Sequence, residues 1–144
     1  MTELTTAPPL TKLSEEEGLF RDTVRDFAER DVKPRVAAME QASALDPSLI
    51  AKCFEIGLMG IEIPTELGGA AGSLLMTVLA VEELSAVDAS LAICVDVQNT
   101  LVNNLLLKWG SDELQRRYLP RLAGAVVSSV IGSSIFDLPG AART

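Results

Sequence analysis

Apolar residues recur three or four positions apart along most of this chain, the period of helices that turn one face to a core. Phe20, Val24 and Phe27 form one such row, with Arg21, Asp22, Arg25, Asp26, Glu29 and Arg30 on the other side. Ser14-Glu15-Glu16-Glu17 reads as its capping box, in which hydroxyl and carboxylate close the first turn reciprocally. Pro34 predicts a kink or an end, and residues 36–41 continue as a shorter helix. Asp46-Pro47 starts the next one, which runs through Leu49, Ile50, Cys53 and Ile56 and stops at Gly57. Ser73 and Asp88 begin two strongly apolar helices, reaching about Val87 and about Trp109, with Gly110 closing the second. Ser111-Asp112-Glu113 opens a sixth, carrying Leu114, Tyr118 and Leu122, and Pro120 perturbs its end.

No segment before Val126 alternates as a strand would; 126–131 is the one β-branched run. The predicted fold class is therefore all-α: about six helices in an up-and-down-like bundle, with an irregular or short β-like C-terminal tail. Residues 1–12, with Pro8-Pro9, read as a flexible lead-in, 13–125 as the helical domain and 126–144 as the truncated start of a β-domain or a divergent tail. A chain of 144 residues suits one domain, which would bury roughly 68–70% of its unfolded surface.

Charge and composition narrow the function. Twenty acidic residues against twelve basic ones leave a net charge of −8. That balance argues against nucleic acid and against anionic membrane surfaces, both of which need clustered Lys and Arg. There is no histidine, which removes the usual general base and the usual metal ligand together. Cys53 and Cys94 sit in apolar patterns and read as reduced core thiols. The N-terminus has neither the charged start and apolar core of a signal peptide nor the Arg-rich character of a transit peptide, so a cytoplasmic location is expected. The apolar region 74–107 is interrupted by Glu82, Glu83, Asp88, Asp96 and Asn99, so a membrane span is not expected.

Three features invite a chemical reading. Plotted at 100° per residue, the helix after Asp88 places Asp96, Asn99, Thr100 and Asn103 on a polar stripe. Leu91, Cys94, Leu101, Val102 and Leu105 form the opposite, apolar face, with Gln98 in its middle. A buried amide needs a partner, so Gln98 either bonds a nearby loop or a buried water, or lines a cavity open to ligand. Glu82 and Glu83 look like a catalytic pair, but neighbours on a helix point about 100° apart, which favours a salt bridge or helix-end contact. Gly68-Gly69-Ala70-Ala71-Gly72 precedes a helix like a phosphate cradle, yet it follows no strand and lacks the nucleotide-motif spacing. Positive φ and close packing explain it better.

Taken in order, Leu58-Met59-Gly60-Ile61-Glu62-Ile63-Pro64, Glu66-Leu67-Gly68-Gly69, Glu82-Glu83-Leu84-Ser85, Gln98-Asn99-Thr100-Leu101 and Tyr118-Leu119-Pro120 with Gly124 form a series. The chain so read resembles the N-terminal helical domain of the acyl-CoA dehydrogenase family, and most nearly its short/branched-chain type. The resemblance runs from about Ser14 to Ser129. It implies an FAD-dependent oxidoreductase that dehydrogenates short or branched acyl-CoA thioesters between the α and β carbons, in fatty acid or branched-chain amino acid catabolism. It also implies that Val97, Gln98 and Leu101 border the acyl pocket, and that Val130, Gly132 and Ser133 align with the flavin-holding element that opens the family's β-domain. That element departs from the family pattern here, and neither the β-domain nor the C-terminal helical domain with its catalytic glutamate is recognisable. No catalytic residue is assigned, and a truncated, singly inactive enzyme domain is the expectation. Helices missing those neighbours should leave an apolar face open to self-association or to a separately supplied remainder. The competing expectations are a non-catalytic interaction module and an acyl-binding bundle without redox chemistry.

Overall fold

The computed structural model describes residues 12–124. The β-branched run, the tail and the flavin-site candidates Val130, Gly132 and Ser133 lie outside the described residues, as does nearly all of the lead-in. Helix α1 spans Glu15–Phe27, continues through a π turn at Ala28–Val32 and a 3₁₀ turn at Lys33–Arg35, and passes into α2, Val36–Ala42. Helix α3 is Pro47–Glu55, α4 Leu74–Ser85, α5 Ala89–Asp96, α6 Asn104–Trp109 and α7 Asp112–Ala123. A seven-residue π stretch, Val97–Asn103, joins α5 to α6. Among the described residues there is no strand.

The helix starts fall where the caps predict. Ser14 and Glu17 close a full capping box. Asp46, Ser73, Asp88 and Ser111 each accept a first-turn amide of α3, α4, α5 and α7. Each cap satisfies a donor that the helix itself leaves free. Pro34 ends nothing: it occupies the second position of the 3₁₀ turn, where the tighter geometry lets the helical path run on into α2. Pro120 likewise lies inside α7, which continues to Ala123.

Val24, Phe27, Ala28, Leu49, Cys53, Leu58, Met59, Ile61, Leu84, Leu91 and Val95 share the main core, so α1, α3, α4 and α5 converge on the loop that begins at Leu58. A smaller cluster of Ile63, Leu119 and Ala123 seats α7 against the same loop. Ion pairs bind the outside: Arg25 of α1 to Glu83 of α4 at 2.6 Å, and Lys52 of α3 to Asp31. The Glu82–Glu83 pair is thus structural on the Glu83 side, an interhelical bridge.

Candidate functional site

The faces predicted for the rod from Ala89 to Trp109 hold at buried Leu91 and exposed Thr100 but are exchanged at Asn99, Asn103, Leu101 and Leu105. Asn99 and Asn103 are fully buried, at 0% exposure, whereas Leu101 is 62% exposed. The reason lies in the loop beneath. At residues 58–61 the backbone leaves the regular helix and presents unpaired groups to the rod, and buried backbone groups require partners. Asn99 supplies two of them: its Oδ1 accepts from the Ile61 amide at 3.0 Å and its Nδ2 donates to the Leu58 carbonyl at 2.7 Å. The same Nδ2 donates to Val95 O within the rod. Asn103 Nδ2 donates to Met59 O at 2.8 Å. Apolar side chains at these two positions would leave that backbone unsatisfied.

Gln98 resolves its two alternatives in favour of a protein partner. It is buried, at 8% exposure, and its Nε2 donates to Asn103 Oδ1 at 3.0 Å. The partner is a side chain five residues along the rod, neither loop backbone nor water. Among the described residues no buried side-chain nitrogen or oxygen lacks a hydrogen-bond partner. The three acyl-pocket candidates therefore divide. Val97 and Leu101 lie on the outer surface, and Gln98 faces inward behind them. Asn99 and Asn103, read from the sequence as part of a polar stripe, prove to be the clamp of the loop. Three amides within six positions of an apolar helix were the available signal.

The outer face carries a row of its own. Ile93, Val97, Leu101, Leu105 and Trp109 recur every four residues, and all five are exposed, Trp109 to 81%. Cavities of about 320, 240, 400 and 330 Å³ occur elsewhere, the largest lined by the glycines of the 57–69 loop and by Ala123. None of these four is lined by Val97, Gln98 or Leu101.

The glycine loop binds itself. The amides of Gly68, Gly69, Ala70, Ala71 and Gly72 donate to Thr65, Pro64, Gly60, Ile63 and Ile61 carbonyls, which leaves none of them free for a phosphate. Gly68 adopts φ +86°, and a Cβ on Gly69 would lie 2.1 Å from the Ile63 oxygen. The loop therefore does not fit a flavin or nucleotide pyrophosphate. Both cysteines are free, and burial raises both thiols, Cys53 to about 12. A thiol kept protonated in this way is a poor nucleophile.

A bundle of capped helices around an amide-clamped glycine loop, with an apolar row left outside, also matches known proteins. The family profile described as Acyl-CoA dehydrogenase, N-terminal domain, matches residues 14–125, and the chain belongs to that family. It is 43% identical over 122 residues to the bovine (Bos taurus) mitochondrial short/branched chain specific acyl-CoA dehydrogenase, covering 85% of this chain and 28% of that protein. Its fold superposes on butyryl-CoA dehydrogenase from Megasphaera elsdenii with TM-score 0.75 and 26% identity, over 80% of this chain and 31% of the other. A glutaryl-CoA dehydrogenase from Mycobacterium smegmatis in complex with FADH2 gives TM-score 0.73 and 29% identity, over 79% and 29% of the two chains. The chain thus spans less than a third of the length of these relatives.

Proposed function

We propose that this chain forms the N-terminal helical wall of an FAD-dependent acyl-CoA dehydrogenase acting on short or branched acyl-CoA thioesters. The observation that carries the reading is the exposed row Ile93, Val97, Leu101, Leu105 and Trp109, a longer exposed apolar series than the pair Leu74 and Val78 on α4 or the pair Leu114 and Tyr118 on α7. A row of this kind needs cover, and in this reading the acyl chain and the remainder of the enzyme provide it. Val97 and Leu101 face the acyl group, with Gln98 holding the wall from behind. Domain limits of 13–125, with a lead-in at 1–12 and the truncated start of a β-domain or a divergent tail at 126–144, belong to the same proposal.

Val130, Gly132 and Ser133 would contribute to holding FAD, which when bound would supply the hydride-accepting chemistry of the dehydrogenation. The residues described supply no general base and no free amide cradle in the glycine loop, so their part is binding and exclusion of water. A chain that is inactive by itself follows from this division of labour. Among the described residues no helix is long and apolar enough to cross a membrane. The two free thiols favour a reducing compartment, and the cytoplasm is our reading, which cell fractionation tests.

Leu101→Trp in the assembled flavoenzyme is the test of the wall. Narrowing the pocket by one large side chain should cut kcat/KM for longer acyl-CoA substrates by at least about tenfold relative to short ones. An unchanged ratio would remove Leu101 from the pocket. The same exposed row also favours a second reading, a non-catalytic module that pairs with another copy or a separate partner. Sedimentation of the chain alone checks it: a monodisperse monomer that also yields no active enzyme with the remaining domains would leave this reading without support.

A further inference from the structure

The exposed row poses a geometric problem. An α-helix turns about 100° per residue, so four residues overshoot one turn by about 40°. Across the four steps from Ile93 to Trp109 an unbroken α-helix would swing the row by about 160°, carrying Trp109 nearly to the opposite face of the rod. Yet all five residues are exposed, while Leu91, Val95, Gln98, Asn99 and Asn103 are buried on the opposite side. The π stretch at Val97–Asn103 offsets the part of the swing that would fall between Val97 and Leu105. Its i→i+5 bonding takes more residues per turn, so each residue turns less there and the row as a whole drifts less than an unbroken α-helix would.

A wide helix of this kind is intrinsically poorer than an α-helix, so something must hold it. The Gln98–Asn103 bond spans five residues, the interval that π geometry brings into register. Asn103 is in turn tied to Met59 O and, at 3.5 Å, to Asn99 Oδ1, while Asn99 is tied to Ile61 and Leu58. The ladder therefore anchors both ends of the π stretch to the loop at 58–61.

We infer that the Gln98–Asn103 amide pair is a positioning device: it locks the π register that keeps Val97, Leu101 and Leu105 on the same exposed side of the rod as Ile93 and Trp109. The specificity consequence, that this register sets how Leu101 meets an acyl chain, rests on the proposed function; the register itself does not. The ladder acts from inside the fold on residues that it never exposes to ligand.

Two experiments on the 144-residue chain test it. Trp109 is the single tryptophan and reports the orientation of α6. Gln98→Ala should shift its emission to the blue as the row loses alignment, and the reciprocal exchange Gln98→Asn with Asn103→Gln should restore the parent spectrum. If Gln98→Ala unfolds the chain, single-residue deletions decide. An α-helix needs one residue fewer than a π stretch over the same rise, so deletion of exposed Thr100 should keep helical content and a melting temperature near the parent. Deletion of exposed Val78 from the regular helix α4 should abolish both. An unchanged Trp109 spectrum in folded Gln98→Ala, or equal damage from the two deletions, would overturn the inference. Displaced tryptophan emission with unaltered acyl preference in the assembled enzyme would instead sustain the register and sink the pocket assignment.

Discussion

Helix α1 and the rod from Ala89 to Trp109 make opposite use of their polar residues. In α1 the apolar Val24 and Phe27 enter the core while charged residues stay in water. In the rod the amides of Gln98, Asn99 and Asn103 enter the core, and Val97, Leu101, Leu105 and Trp109 stay outside. The helix α1 packs against other side chains, which need only apolar area. The rod packs partly against bare loop backbone, which needs hydrogen-bond partners. A helix whose inner face is spent on backbone, and whose outer face is apolar, is suited to being covered from a second side.

Core truncation should separate the two kinds of face most strongly. Leu84→Ala, at a fully buried site in α4, should cost about 2–5 kcal/mol in urea unfolding. Leu105→Ala, on the outer row, should stay within about 0.5 kcal/mol. Equal losses would mean that the row is already covered within this chain. Gly69→Ala comes next: its Cβ would press on the Ile63 carbonyl, and about 2–3 kcal/mol should be lost. That result would sharpen the contrast, since the loop that the amides hold must keep its own tight shape.

Smaller effects should come from the charged exterior. A hydrogen bond from Lys52 holds the Asp31 carboxyl below its ordinary value of 3.8, and the hydroxyl and amide of Ser48 do so for Asp46. Both groups bind protons less tightly in the folded state. Their contribution is therefore complete above that ordinary value and is lost as pH falls through the lower, folded values. Thermal melts at stepped acidic pH should show a decline in that window, with Asp31→Asn flattening it. Thiol labelling probes the packing most gently. Cys94, partly exposed, should react before the fully buried Cys53, and Cys53 should wait for unfolding.

What could be read from the sequence follows the range of the interactions. The caps Ser14, Asp46, Ser73, Asp88 and Ser111 act on amides two or three residues away, so their positions were legible. The family's motif series was legible for the same reason, as short runs in order. The inversion of the rod was not, because the partners of Asn99 and Asn103 lie some forty residues upstream in loop backbone. Plotting at 100° per residue also assumed an α-helix through a stretch that is π. Pro34 marked the break ahead of the shorter helix, though not that a 3₁₀ turn would carry the chain across it into α2. For the three residues that the resemblance proposed as acyl wall, a helix plot could not tell that Val97 and Leu101 face out while Gln98 faces in.

The inverted rod is tested most directly by exchanging its polarity one residue at a time and measuring unfolding in urea. Asn99→Leu should lose about 3 kcal/mol, because the Ile61 amide and the Leu58 carbonyl would be buried without partners. Leu101→Asn should change stability by less than about 0.5 kcal/mol and improve solubility. The opposite ranking, with the apolar residue tolerated inside and the amide harmful outside, would contradict the account.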